Sequence, residues 1–221
     1  SSVTIEQAHA EVAARGTAAA SWRPFQLAFI LMQLGALTDP ASPVRSAEHH
    51  ARVELLFFPT GGGKTEAYLG LAAYTFAIRR RQGLVDSTDG PLDGRDGVAV
   101  LMRYTLRLLT AQQFQRATAL MCAAELARQA DETTWGSESF RIGLWVGTDV
   151  SPKRFEEADE QLTKANEHGS HRLTVLQVQR CPWCGTPITA AHVKADATAR
   201  RVFVYCGDDL ARCPFSKGGQ V

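Results

Sequence analysis

The stretch FFPTGGGKTEAYLG, residues 57–70, decides the fold that this sequence predicts. Three consecutive glycines, Gly61 to Gly63, are followed by Lys64 and Thr65, after an apolar run and before residues with helical spacing. Glycine lets backbone N–H groups turn towards a polyanion where a Cβ would collide. The lysine can meet the outer phosphates, the hydroxyl can hold Mg²⁺, and the positive end of the following helix faces both. The stretch therefore predicts a phosphate-binding loop between a buried strand and a helix.

The candidate residues of this loop divide into two sets. The predicted catalytic residues are Lys64 and Thr65, and the predicted nucleotide-binding residues are Thr60, Gly61, Gly62, Gly63, Lys64, Thr65 and Glu66. Phe58 stands where the eight-residue form of the loop usually has its first glycine. The form Pro-Thr-Gly before Gly-Lys-Thr resembles motif I of superfamily 2 helicases rather than the loops of kinases or GTPases. The alternative is a glycine-rich turn that happens to carry a lysine.

Apolar runs and helical patterns alternate around the loop. The runs at Val53–Phe58, Val98–Met102 and Phe140–Val146 predict buried strands, and the segments Lys64–Arg80 and Leu106–Arg128 between them predict helices. This order is typical of an α/β fold with a parallel sheet and flanking helices, here of the RecA-like P-loop NTPase kind.

Four parts are expected along the chain. They are N-terminal helices with an adenine-sensing element over residues 1–52, a partial RecA-like core over 53–150, a polar connecting segment over 151–176 and a cysteine-rich zinc module over 177–221. Pro152–Asn166 in the connecting segment predicts a surface helix.

Charge and hydropathy restrict the function classes. The net charge is only +1, so a nucleic-acid site must be a local patch rather than a global polycation. The longest apolar run, Leu27–Leu37, is interrupted by Gln33 and Gly35 and is too short to span a bilayer. No leader pattern opens the sequence, so we expect a cytoplasmic protein without a membrane partner.

Two further segments resemble elements of helicase-like motors. Trp22-Arg23-Pro24-Phe25-Gln26 resembles their adenine-sensing Arg-Pro-x-Gln element. The paired donor and acceptor of the Gln26 amide could read the adenine edge, with Arg23 assisting. The alternative is that Pro24 is an ordinary first-turn residue and Gln26 a surface side chain.

The segment 105–112, TLRLLTAQ, resembles motif Ia, through which such motors hold the nucleic-acid backbone. The candidate nucleic-acid residues are Arg103, Arg107, Thr110, Gln112 and Arg116. Contacts of this kind position DNA without reading its sequence. Thr105 and Leu108 depart from the Pro and Glu of the usual motif, and solvated or paired surface arginines are the alternative.

Four of the five cysteines predict a metal centre. Cys181, Cys184, Cys206 and Cys213 have the spacing C-x2-C-x21-C-x6-C. Four thiolates would hold a tetrahedral, structural Zn²⁺ and leave no open position for water. His192 in place of one cysteine, or a redox pair of Cys181 and Cys184, are the alternatives.

Together, residues 23–26, 58–70, 102–116, 140–147 and 181–185 resemble one family, the helicase-like subunit (DrmA) of bacterial DISARM antiphage systems. The resemblance implies an ATP-dependent DNA-binding motor with a zinc-bearing insertion and with ATP, Mg²⁺ and Zn²⁺ as cofactors. It also implies a partner subunit with a DUF1998 domain and the company of a DNA methyltransferase.

One part of such a motor is missing, the Asp-Glu pair at the end of a buried strand that holds Mg²⁺ and polarises water. Glu157-Ala158-Asp159-Glu160 follows no apolar run, so we interpret it as a solvated helix face. We therefore expect the N-terminal part of a superfamily 2 DNA helicase or translocase, which binds nucleotide better than it hydrolyses it. The alternatives are a non-catalytic scaffold that binds nucleotide and zinc, and a P-loop kinase.

Overall fold

A computed structural model describes residues 5–45, 52–59, 61–87, 90–104, 107–147, 150–168 and 173–217. The chain divides into two compact units. The first combines Ser1–Ala10, Arg107–Ala123 and Arg141–Val221, and the second combines Glu11–Leu106 and Ala124–Phe140. The predicted domain boundaries after residues 52, 150 and 176 stay predictions.

Helices dominate the described residues. They are α1 (Ile5–Arg15), α2 (Pro24–Thr38), α3 (Lys64–Gln82), α4 (Arg107–Ala130), α5 (Glu132–Trp135) and α6 (Phe155–His168). The helix predicted to begin at Lys64 is confirmed, and that predicted from Leu106 begins at Arg107. Pro24 is the first residue of α2, where its fixed φ suits the helix and its missing N–H costs nothing. None of the described helices is long and apolar enough to cross a bilayer.

The predicted parallel sheet is not shown. In the described part of the chain the strands form two antiparallel pairs, β1 (Leu84–Val85) with β2 (Leu92–Asp93) and β3 (Val193–Asp196) with β4 (Arg201–Val204). The runs Val53–Phe58, Val98–Met102 and Phe140–Val146 form no strand there, which corrects the prediction. A parallel strand needs partners on its edges and cover on both faces. These runs have neither, and Val53 is 92%, Phe57 89% and Leu101 88% exposed.

In the second unit, α2 packs along α3. The Trp22 ring lies so close to Gly70 of α3 that a Cβ there would stand 2.7 Å from it. At the other end of the pair, the Thr38 and Tyr74 hydroxyls are 2.5 Å apart. The end of α3 then carries the β1–β2 hairpin, where a Cβ on Gly94 would lie 1.8 Å from the Arg79 carbonyl oxygen. The absence of a side chain at Gly70 and Gly94 lets Trp22 and the hairpin lie close against α3.

In the first unit, α6 packs on β3 and β4, and its residues Ala158, Leu162 and Ala165 are buried. Arg200, in the β3–β4 turn, forms an ion pair with Glu156 of α6 at 2.8 Å. The prediction of a helix over 152–166 is confirmed with slightly different bounds.

The acidic stretch within α6 occupies the solvent side of the helix. Glu157, Asp159 and Glu160 are exposed, while Ala158 between them is buried. The interpretation of this stretch as a solvated helix face is therefore confirmed.

Candidate functional site

The glycine loop leads directly into α3. Gly61 and Gly63 have φ values of +82° and +94°, a region that side chains with a Cβ rarely adopt. Gly62 donates its N–H to the Pro59 carbonyl at 3.2 Å, and a Cβ on Gly62 would stand 3.0 Å from the same oxygen. The turn therefore favours glycine strongly at Gly61 and Gly63, and it leaves little room for a Cβ at Gly62. Thr60 lies outside the described residues.

Lys64 is the first residue of α3 and reaches back across the loop. Its Nζ donates to the carbonyl oxygens of Phe58, at 2.5 Å, and Pro59, at 3.2 Å. Thr65 is partly buried in the first helical turn, and Glu66 beside it is exposed. The lysine ammonium and the threonine hydroxyl thus both belong to the N-terminal turn of α3, where the helix dipole favours an anion.

The predicted adenine-sensing residues contact this loop. The Arg23 guanidinium donates to the Gly62 carbonyl at 2.8 Å, and Gln26 Nε2 donates to the Gly63 carbonyl at 2.7 Å. Gln26 is 4% exposed, so the alternative of a surface side chain is wrong. That the pair reads adenine stays a prediction. Sequence reasoning missed the contact with the loop, because its only signal was an Arg and a Gln at the start of a helix.

Phe58 has a packing role that accounts for its place in the glycine motif. Its ring stacks on that of Phe25, with centroids 3.8 Å apart and planes 12° apart. Its Cδ1 would lie 3.1 Å from a Cβ on Gly62. The aromatic ring therefore anchors the start of the loop to α2, where a glycine would provide no contact.

The candidate nucleic-acid residues lie on α4 and just before it. Gln112 and Arg116 are exposed and one turn apart on α4, so they share a face. Arg103 is exposed in the segment that precedes α4. Arg107 and Thr110 belong to the first turn of α4, but their side chains lie outside the described part, as do Thr105 and Leu106. Binding of DNA by these residues stays a prediction.

The four predicted metal ligands converge on one point. The sulfur atoms of Cys181, Cys184, Cys206 and Cys213 all lie within 4.8 Å of one another. The Cys184–Cys206 sulfurs are 3.3 Å apart and the Cys181–Cys213 sulfurs 3.9 Å apart. Tetrahedral Zn²⁺ with Zn–S bonds of 2.3 Å sets its sulfurs roughly 3.8 Å apart. The cluster could therefore hold a metal ion such as zinc.

Two tight turns present these sulfurs. In the first, the Cys181 carbonyl accepts the Gly185 N–H at 2.8 Å, and Gly185 has φ +76°. In the second, Asp208 Oδ2 accepts the backbone N–H groups of Arg212 and Cys213 at 2.9 and 2.8 Å. The carboxylate folds the six residues between Cys206 and Cys213 into a compact loop. Sequence reasoning recorded the wide spacing but missed the aspartate that closes it.

Burial disfavours the ionisation of two of the four thiols. Burial raises the pKa of Cys213, and burial together with the Cys184 thiol raises that of Cys206 to about 12. Burial also acts on Cys184, but hydrogen bonds with the Thr186 hydroxyl and backbone amide bring its pKa down to about 7. Four thiolates cannot share this volume without a compensating charge, which a divalent metal supplies.

The two alternatives for the cysteine module fit the structure less well. His192 Nδ1 lies 3.1 Å from the Thr189 N–H and accepts from it, and His192 is not part of the sulfur cluster. A redox pair of Cys181 and Cys184 would leave Cys206 and Cys213 unexplained, yet they contribute equally to the cluster. Cys122, the fifth cysteine, is half-buried, and burial raises the pKa of its thiol to about 11, which suits a residue that packs rather than reacts.

Comparison with known proteins identifies a relative of this chain. No family model matches the chain. The DISARM protein DrmA of Bacillus paralicheniformis is 40% identical over 210 residues, which cover 89% of this chain. Over these residues the chain is similar to a part of DrmA. The resemblance predicted from the motifs is thereby confirmed, while a superfamily 2 helicase fold is not shown. The chain spans 17% of the length of that DrmA.

Proposed function

We propose that this chain is the nucleotide-binding part of an ATP-driven DNA translocase or helicase that acts in antiphage defence of the DISARM type. The observation that carries the proposal is the glycine loop at the start of α3, with Lys64 folded back over it. The similarity to DrmA supports the defence role. The division of the chain after residues 52, 150 and 176, with residues 53–150 as the nucleotide-binding part, belongs to the proposal.

The residues of the loop fit a nucleoside triphosphate with Mg²⁺. The ammonium of Lys64 is bound by two carbonyl oxygens, which are weaker partners for a cation than a phosphate is. In the proposed function Lys64 exchanges these carbonyls for the outer phosphates. The Thr65 hydroxyl holds Mg²⁺, and Glu66 lies beside it. The backbone of Gly61, Gly62 and Gly63 surrounds the phosphates, with the Gly62 N–H released from the Pro59 carbonyl that it bonds in the structure. Mg²⁺ neutralises phosphate charge in such sites.

The proposal gives the other predicted sites supporting roles. Arg103, Arg107, Thr110, Gln112 and Arg116 hold the DNA backbone, so binding should weaken as salt rises. Cys181, Cys184, Cys206 and Cys213 hold a structural Zn²⁺, because a four-thiolate centre leaves no open position for substrate. A subunit with a DUF1998 domain is the proposed protein partner, in a cytoplasmic assembly.

Calorimetric titration with Mg-ATP tests the proposal. We expect the 221-residue chain to bind Mg-ATP and Lys64→Ala to bind it at least about tenfold more weakly, since a charge-assisted contact is lost. Lys194→Ala, which removes an exposed lysine of the cysteine module, is the charge-matched control and should bind as the parent does. Equal binding by the parent and Lys64→Ala would reject the proposal.

Measuring ATP hydrolysis by the full-length protein, with and without DNA, distinguishes a motor enzyme from a non-catalytic scaffold. DNA-stimulated hydrolysis of ATP is expected for a motor. Nucleotide and zinc binding without any hydrolysis would favour the non-catalytic scaffold.

A further inference from the structure

The first turn of α2 holds the glycine loop at three points. Phe25 stacks on Phe58 where the loop begins. Arg23 and Gln26 bind the carbonyl oxygens of Gly62 and Gly63, where the loop ends. The loop is therefore attached to α2 at both of its ends.

These contacts fix the direction of two backbone amides. In a trans peptide the C=O of one residue and the N–H of the next point in opposite directions. Because the Gly62 and Gly63 carbonyls are held towards α2, the N–H groups of Gly63 and Lys64 point away from it. The backbone of Gly63 has the left-handed αL conformation, and that of Lys64 is α-helical. Successive N–H groups in such a pair of conformations form a concave site for an anion.

Both ends of the Gln26 side-chain amide form hydrogen bonds with the protein's own backbone. Its Oε1 accepts the Arg23 N–H at 2.8 Å, while its Nε2 donates to Gly63. A glutamine that reads adenine must present an oxygen and an N–H together to the edge of the base. Gln26 is only 4% exposed, and a Cβ on Gly63 would stand 2.6 Å from its Nε2. The amide is therefore packed against the loop rather than open to a base.

We propose that Arg23 and Gln26 are positioning residues. They hold the carbonyls of Gly62 and Gly63 so that the N–H groups of Gly63 and Lys64 face the phosphates. Nucleotide binding then depends on them whatever the base. This inference rests on the proposed function, because it requires a polyphosphate at the loop. Glycines lose more conformational freedom on ordering than other residues, so a loop of three glycines gains most from being held in advance.

A comparison of three ligands tests this role. Mg-ATP, Mg-GTP and inorganic tripolyphosphate with Mg²⁺ are titrated into the 221-residue chain and into Gln26→Ala. We expect all three affinities to fall by the same factor, about fivefold to tenfold, as for one lost hydrogen bond and a loosened loop. A fall for Mg-ATP alone would show that Gln26 reads adenine and would overturn the inference, as would unchanged binding of all three.

The same helix provides a matched control. Gln33, about two turns later on α2, lines a separate cleft beside Phe29 and Tyr68. Gln33→Ala should leave all three affinities unchanged. Hydrogen exchange of residues 58–66 should become faster in Gln26→Ala than in Gln33→Ala, at similar melting temperatures. Equal exchange in the two variants would contradict a loop held by Gln26.

A second variant and the behaviour of the parent chain distinguish failure of this inference from failure of the proposed function. If Gln26→Ala does not fold, Arg23→Ala carries the test, because its side chain is exposed, and the same uniform loss is expected. Loss confined to Mg-ATP, or no loss, overturns the inference with this variant too. A parent chain that binds none of the three ligands refutes the proposed function and this inference together. A parent that binds them, with the wrong pattern in the variants, refutes this inference alone.

Discussion

Gly207→Ala should strongly weaken metal binding, although it changes no ligand. Gly207 follows Cys206, and a Cβ on it would lie 2.0 Å from the carbonyl oxygen of Pro187. Real Cβ atoms essentially never approach closer than 3.0 Å, so one of the two backbones must move by about 1 Å. Metal–ligand distances tolerate only about 0.2 Å.

The displacement exceeds that tolerance several-fold, so in the variant Cys206 would not reach a bound ion without strain elsewhere. Overpacking of this kind costs about 1–3 kcal/mol, which corresponds to a loss of zinc affinity of roughly fivefold to a hundredfold. Competition with a chromogenic zinc chelator measures that loss, and the melting temperature with and without zinc provides a second reading.

Gly143→Ala is the matched control in the same unit. No atom lies within 4 Å of a Cβ at Gly143, and its φ is not positive, so zinc affinity should match that of the parent. Cys206→Ser should lose more affinity than Gly207→Ala, because it removes a ligand outright. Parental zinc affinity in Gly207→Ala would refute the close approach of the two turns and the reasoning built on it.

Three other predictions concern the second unit. Arg128→Met removes the partner of Glu125, whose side chain is only 12% exposed, so the free energy of unfolding in urea should fall by about 3–5 kcal/mol. Burial opposes ionisation of Glu125, but its hydrogen bonds with Arg128 and the Phe140 N–H hold its pKa below the usual 4.5. The ionised Glu125 therefore contributes fully to the free energy of unfolding above pH 4.5, and this contribution is lost as the pH falls through the lowered pKa. The stability difference between parent and Arg128→Met should therefore shrink from about pH 6 to about pH 3, and a constant difference would contradict the ion pair. Gly35→Ala, inside α2 with nothing within 4 Å of the new Cβ, should stabilise the chain by about 0.5–1 kcal/mol, measured as a higher melting temperature.

Local sequence patterns were sufficient to predict the helices, the glycine loop and the cysteine cluster. The start of α3 was predictable because glycines before a Lys-Thr pair mark both a turn and a helix N-terminus. The cysteine cluster was predictable because the first pair has the spacing of a metal-binding turn. In each case the residues that give the signal are neighbours in sequence.

The strands were not predictable in the same way. A run such as Val53–Phe58 has strand composition, but pairing depends on what lies beside it in space, and here it stays exposed. The bonds from α2 to the glycine loop join residues 37 and 39 positions apart, with no periodic signal to announce them. Asp208 likewise acts through backbone N–H groups, which leave no partner residue type to recognise.

Phosphorus NMR of Mg-ATP tests the central claim most directly, because it observes the phosphates themselves. On addition of the 221-residue chain, we expect the β- and γ-phosphate resonances to shift and broaden, and this effect to disappear with Lys64→Ala and persist with Lys194→Ala. Resonances that are unaffected by the parent chain, or equally affected by Lys64→Ala, would contradict a triphosphate held by this loop.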